Sequence, residues 1–198
     1  MNQIKKILFL VGLAFWLNGS ASGQDGFTIS YPVAFATGDI ADYVKPVSFR
    51  GLTFDYRSRI NENIALGLSS GWNVFYEELP YDTYTIGNES ISGKQYRYNN
   101  QIPILFTAAY YLKPDQKFNP YGSLGIGTTY SRRNTDMGLY TVELEAWNFT
   151  LAPEVGVQSE VIPGLNTSFS LIYYNGFQAG NELDKAQSYL AIKIGVEL

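Results

Sequence analysis

Residues 101–131 read QIPILFTAAYYLKPDQKFNPYGSLGIGTTYS, and this stretch decides the fold. Ile102, Ile104, Phe106, Ala108, Tyr110 and Leu112 share one parity, against Pro103, Leu105, Thr107, Ala109 and Tyr111 on the other. A turn at Lys113–Pro120 follows. Gly122, Leu124, Ile126, Thr128 and Tyr130 then alternate with Ser123, Gly125, Gly127, Thr129 and Ser131. Alternation with a period of two belongs to strands with two unlike faces. One face here is apolar and aromatic, the other mostly small or weakly polar. That combination predicts a barrel wall with lipid outside and a crowded, partly polar lumen inside.

The totals agree. The chain has 198 residues, enough for one barrel domain. Charged residues are 16% against about 25% in an ordinary soluble protein. The 16 Tyr and 12 Phe suit two belts of rings at membrane interfaces. A net charge of −4 argues against a nucleic-acid partner, because phosphate binding calls for a basic surface. Cysteine is absent, which removes disulfides and thiol chemistry. Histidine is absent too, and with it the commonest general base and metal ligand.

Lys5 and Lys6 precede an apolar run, Ile7–Leu17, and Asn18–Gly23 is small and polar. The run is too short for the roughly 20 residues of a spanning helix. It reads as a cleaved secretory signal over 1–23, leaving 24–198 as the barrel.

The first expected strand is Phe27–Phe35, followed by a loop at Ala36–Pro46. The second is Val47–Arg57, whose phase breaks near Arg50-Gly51 and predicts either a bulge there or an Arg50 reaching the headgroups. After a turn at Ser58–Asn63, Ile64–Tyr76 alternates most cleanly. Glu77–Lys94 is polar and acidic and reads as a surface loop; Tyr96 and Tyr98 lead into the central hairpin. Beyond it come strands at Glu145–Ser159, Leu165–Tyr174 and Tyr189–Leu198, with a Pro163-Gly164 turn and a polar loop at Asn175–Gln187. Short turns thus alternate with longer loops. The expectation is all-β: an eight-stranded antiparallel up-and-down transmembrane β-barrel.

The IPILFTAAYYL…NPYGSLGIG hairpin, the basic-apolar leader and the strand that ends the chain resemble the bacterial outer-membrane β-barrel (porin-like) family, whose small members include OmpX- and OmpW-type barrels. The resemblance covers nearly all of 24–198. It implies export to a Gram-negative outer membrane, with lipid and the barrel-assembly and secretion machinery as partners. Leu198 departs from the aromatic residue with which such barrels usually end. Because family members differ widely in what they do, the resemblance implies place more than activity.

Asp55, Glu154 and Lys193 all carry inward parity. A lysine facing lipid at mid-depth costs roughly 2–4 kcal/mol, so an ionic cluster within the lumen is expected, as a structural plug before a solute path. Eight strands leave an interior that side chains can fill. Trp72, Tyr76, Tyr96, Tyr98, Tyr130, Trp147 and Tyr173 fall near the loop ends of their strands, and Tyr56 and Tyr110 near the turn ends, as two aromatic girdles. Acidic residues, among them Asp39, Asp42, Glu77, Glu78, Asp82, Glu89, Asp136, Glu143, Glu145, Glu182 and Asp184, read as a solvated surface, because none has calcium-loop spacing. Without histidine, Ser or Asp nucleophiles lack their usual activator, so no enzyme and no cofactor are expected. GSLGIG at Gly122–Gly127 sits inside a strand and is no phosphate loop.

The expected role is an integral outer-membrane barrel without catalysis. It would serve a structural or surface-interaction purpose through its loops, with a ligand of unspecified chemistry, or pass small, even hydrophobic, solutes narrowly. The other reading is a secreted soluble lipocalin-like barrel holding an apolar ligand, which requires the two faces to be exchanged. Pro32, Pro103 and Pro153 each remove a ladder donor, and the sequence supplies no reason for them.

Overall fold

The computed structural model describes residues 26–86, 89–114, 116–162, 164–178, 182–183 and 185–198, with the side chains of Ile86, Glu89 and Ile162 excepted. The expected leader over 1–23, Pro163 of the expected turn, the Glu89 side chain and Asp184 lie outside the described residues. The alternating segments become eight strands: β1 Gly26–Thr37, β2 Gly51–Arg59, β3 Ile64–Ile86, β4 Glu89–Tyr111, β5 Phe118–Met137, β6 Tyr140–Ile162, β7 Leu165–Gly176 and β8 Gln187–Glu197. Each pairs antiparallel with its sequence neighbour, and β1 with β8 closes the barrel.

Closure sorts the two parities. Leu66, Leu68, Ile104, Phe106, Leu124, Ile126, Phe149 and Leu171 face out and are exposed, while Leu105, Thr107, Thr129, Asn148, Thr150 and Ala152 face in and are buried. Along β8, Tyr189, Ala191 and Lys193 are buried on the inner face. This is the inverse of a soluble carrier, which keeps its apolar side chains within.

Two expectations need correction. Glu77–Lys94 is not a loop, since Glu77 pairs with Arg97 and the β3–β4 ladder continues past a register shift between Leu79 and Asp82. Likewise β5 and β6 pair to Met137 and Tyr140, well beyond their expected ends. Strands β3 to β6 have 20–23 residues, while the other four have 9–12. β2 stops opposite Asn73, and β7 opposite Thr150. A four-stranded sheet therefore projects from one rim. Its residues mix polar and apolar types on both faces, with Tyr81 and Tyr140 exposed and Gln95 and Met137 buried, so they lack the alternation that marks a strand in a wall.

The expected loop at Ala36–Pro46 contains a short helix, α1, Gly38–Tyr43. Gly38 enters it at φ 54°, a backbone geometry that favours glycine. The phase break in the second strand is a ladder irregularity. Ser48 bridges Ala34, and the next inward pair on β2 is Gly51, three residues on and one more than a regular strand allows. Arg50 stacks its guanidinium 4.6 Å from the Tyr76 ring centre.

The ladder explains the prolines. Pro32 lies in the gap between the Ser30–Thr53 pair and the Ala34–Ser48 bridge. Pro103 falls in a gap between Ser70–Ile104 and Asn73–Gln101, where Ser70 Oγ donates to its carbonyl at 3.0 Å. Pro153 falls in the gap between Leu151–Asn175 and Glu154–Ile172. Each proline sits where a rung of one ladder is missing, so its absent N–H leaves no strand acceptor stranded within a regular run.

Candidate functional site

The lumen is the concentrated chemistry of this molecule. Lys193 Nζ lies 3.2 Å from Asp55 Oδ2 and 3.0 Å from Glu154 Oε1. All three residues are buried, at 2%, 4% and 3% exposure. Arg57 joins them, its Nη2 2.8 Å from Glu154 Oε2. The Tyr121 hydroxyl and Ser123 Oγ also donate to Glu154, at 3.1 and 3.0 Å. Two acids thus face two bases, and the cluster is neutral as a whole. The expected trio is brought together, and Arg57 is the member the sequence reading left out. Its parity was available, being the same as that of Thr53 and Asp55.

Below the cluster, toward the short turns, aromatic rings and guanidinium groups interleave. Arg57 lies 4.7 Å from the Tyr121 ring centre and Arg59 4.8 Å from that of Tyr111. Above it, Phe75, Leu105, Ile172, Tyr174, Tyr189 and Ala191 form an apolar layer. Tyr174 and Tyr189 stack at 4.5 Å. A polar layer follows along β4, β5 and β6, where Ser131 Oγ donates to Gln101 at 2.9 Å or to Asn148 at 3.0 Å and Thr150 Oγ1 to Thr129 at 2.8 Å.

Helix α1 stops the mouth. Ile40 and Val44 are fully buried against the apolar layer. Asp39, expected on the solvated surface, instead turns inward and pairs with Arg133, with Lys185 at 3.6 Å. Gln187 Nε2 donates to the same carboxylate at 2.9 Å. Burial pushes the Asp39 carboxyl up, but the Gln187 hydrogen bond and the Arg133 charge outweigh it and hold the carboxyl below its ordinary value. Tyr43 donates its hydroxyl to the Asn134 carbonyl at 2.8 Å, and its ring lies between Arg97 and Arg133, at 5.2 and 4.8 Å.

What space remains between the ionic cluster and the apolar layer is small. A cavity of about 20 Å³ beside Asp55, Arg57, Glu154 and Lys193 has room for about one water. A largely apolar gap lies between Pro32, Pro103 and Trp72, but at about 10 Å³ it is no passage for the small hydrophobic solutes considered above. Among the described residues no three acidic side chains gather to hold a metal.

The aromatic residues expected in the two girdles take outward or rim positions. Trp72, Trp147, Tyr56, Tyr110 and Tyr173 are exposed on the outer face. Tyr76 packs on Tyr98 at 5.0 Å, and Tyr130 on Trp147 at 5.1 Å. Tyr96 stands higher, opposite Asp136 on the projecting sheet.

The fold has parallels among solved structures. The chain aligns with the crystal structure of Neisserial surface protein A at a TM-score of 0.54 and 14% identity, covering 91% of this chain and 99% of that one. It aligns with Ail, the attachment invasion locus protein of Yersinia pestis, solved with the heparin analogue sucrose octasulfate, at 0.53 and 14%, covering 90% and 100%. The chain has their fold. It is a closed eight-stranded up-and-down barrel. By sequence, no family model and no curated protein matches it.

Proposed function

We propose that the chain is an integral outer-membrane barrel with a sealed lumen and no catalytic activity, working through the sheet and loops at one rim. The observation that carries this reading is the outer face. Leu68 pairs with Phe106, Phe106 with Ile126 and Ile126 with Leu151, so apolar side chains run from strand to strand around the wall. Phe106, Val155 and Phe169 are more than half exposed. A belt of this extent is untenable in water and natural in lipid. Lipid is the partner it calls for, and a barrel reaching such a membrane depends on secretion and assembly machinery. Its structural neighbours include Ail, an outer membrane protein of Yersinia pestis.

The absence of catalysis is supported by the chemistry of the lumen. Its carboxylates are engaged by Lys193 and Arg57, and the chain has no histidine to activate a hydroxyl. A soluble carrier would need a cup for its ligand, whereas the lumen here is filled. Membrane extraction tests the reading. The protein is expected to require detergent and to migrate faster on gels when unheated than when boiled. Solubility without detergent would return the soluble carrier.

A further inference from the structure

We propose that the turn end of the lumen holds a binding site for a small hydroxylated carboxylate, a sugar acid, whose carboxylate is met by Arg59 and Lys117. The site lies at the opposite rim from the projecting sheet and goes beyond the reading above.

Arg57 and Arg59 stand two residues apart on β2 and so share the inner parity. Their surroundings differ. Arg57 is engaged by Glu154 at 2.8 Å, and Arg133 at the other mouth by Asp39. Neither Arg59 nor Lys117 has a carboxylate partner among the described residues. The Arg59 guanidinium carbon lies 4.8 Å from the Tyr111 ring centre, and its Nη2 donates to Gln158 Oε1 at 3.4 Å. Glu197, the inward acid at the end of β8, is occupied by Gln158 Nε2 instead. A guanidinium stacked on a ring keeps its edge for a ligand, and that edge is a fork of donors matched to an oxyanion.

Space for the ligand lies beside it. Where β2 ends, β5 begins and β6 turns into β7, there is a cavity of about 250 Å³, against about 20 Å³ beside the ionic cluster. Arg59, Lys117, Asn119, Gln158, Glu160 and Asn166 are among its walls. Asn119 is only 3% exposed, and its Oδ1 accepts from Lys113 N at 3.1 Å. That leaves the Nδ2 donors of a buried amide unpartnered among the described residues, on a wall of the cavity. A buried donor without a partner carries a cost that a ligand oxygen removes.

The same walls select the ligand. Two cations draw an anion. Glu160 uses Oε1 to accept from Gly164 N at 2.7 Å, which leaves Oε2 for a hydroxyl. Its charge opposes a dianion such as phosphate, since like charges repel. The amides of Asn119 and Asn166 suit hydroxyls, which both donate and accept. The volume falls short of the roughly 300 Å³ at which sites for drug-sized ligands begin, and so suits a single sugar acid.

The test uses the full chain in detergent micelles, with the Asn119 side-chain amide followed by nitrogen-15 NMR and with gluconate, glucose and phosphate as probes. Gluconate is expected to shift the Asn119 Nδ2 signal saturably at millimolar concentration. Glucose, which lacks the carboxylate, should leave the signal in place. Arg59→Gln should weaken gluconate about ten-fold or more, and Arg59→Lys, which keeps the charge but not the fork, should restore only part of that. Glu160→Gln should leave gluconate within about two-fold and tighten phosphate. Unchanged gel mobility of the unheated variants shows that the barrel stays folded. No saturable shift with gluconate, an equal shift with glucose, or gluconate binding untouched by Arg59→Gln overturns the proposal. So does phosphate binding the unaltered chain more tightly than gluconate, which is the behaviour of a bare anion site. Each of these failures leaves the membrane reading standing, since detergent extraction tests that separately.

Discussion

Single buried charges decide how firmly the lumen is closed. Removing one partner of a buried ion pair leaves the other uncompensated, at about 3–5 kcal/mol. Lys193→Met is therefore expected to lower the unfolding free energy by that order in urea titrations from lipid vesicles. Arg57 still serves Glu154 in that variant, so the cost falls chiefly on Asp55. Adding Asp55→Asn should recover at least about 1 kcal/mol, a coupling that a double-mutant cycle reads directly; additive losses would mean the cluster does not act as a unit. At the mouth, Asp39 has its carboxyl held below the ordinary 3.8. A group lowered on folding stabilises fully above its unfolded value and loses that contribution as pH falls through the folded one. Amide protection across Ile40–Val44, taken relative to the intrinsic exchange rate at each pH, should thus fall as the pH drops below 3.8. In Asp39→Asn it should be low already and unchanged over that range.

At the scale of the strand, close approach is the constraint. A Cβ at Gly127 would lie 2.2 Å from the Ile104 carbonyl oxygen, whereas at Gly122 the nearest atom is 4.0 Å away. Gly127→Ala is expected to destabilise the barrel by about 1–3 kcal/mol, as overpacking does, and Gly122→Ala to be near neutral in the same titration. Strand parity was legible wherever an apolar outer face backs on a buried lumen face, which is why Leu66, Phe106 and Ile192 could be placed without coordinates. It failed at Glu77–Lys94, where the ladder rises past the ends of β2 and β7 and both faces are open. Six residues of α1 are too few to show a helical period. Its burial comes from contacts with β strands distant in sequence, such as those of Ile40 with the lumen layer. The Lys193 cluster was foreseeable from parity and energetics together. Arg57 was lost because it stands near the end of its strand, where charge is unremarkable.

For the whole molecule, the decisive feature is an inside-out distribution of surface, with apolar residues on the exterior and ionic ones enclosed. It predicts no steady conductance in planar bilayers, since the ionic cluster, the apolar layer and α1 block the lumen in series. The absence of cysteine makes a more direct measurement clean. Single cysteines placed in turn at residues 102–110 of β4 can carry a spin label in lipid vesicles, and relaxation by oxygen and by a water-soluble nickel chelate can be compared. An inside-out barrel in lipid gives high oxygen access at Ile104, Phe106, Ala108 and Tyr110, and low access to both agents at Pro103, Leu105, Thr107 and Ala109. Nickel reaching Ile104 and Phe106 as readily as it reaches a rim residue would contradict it.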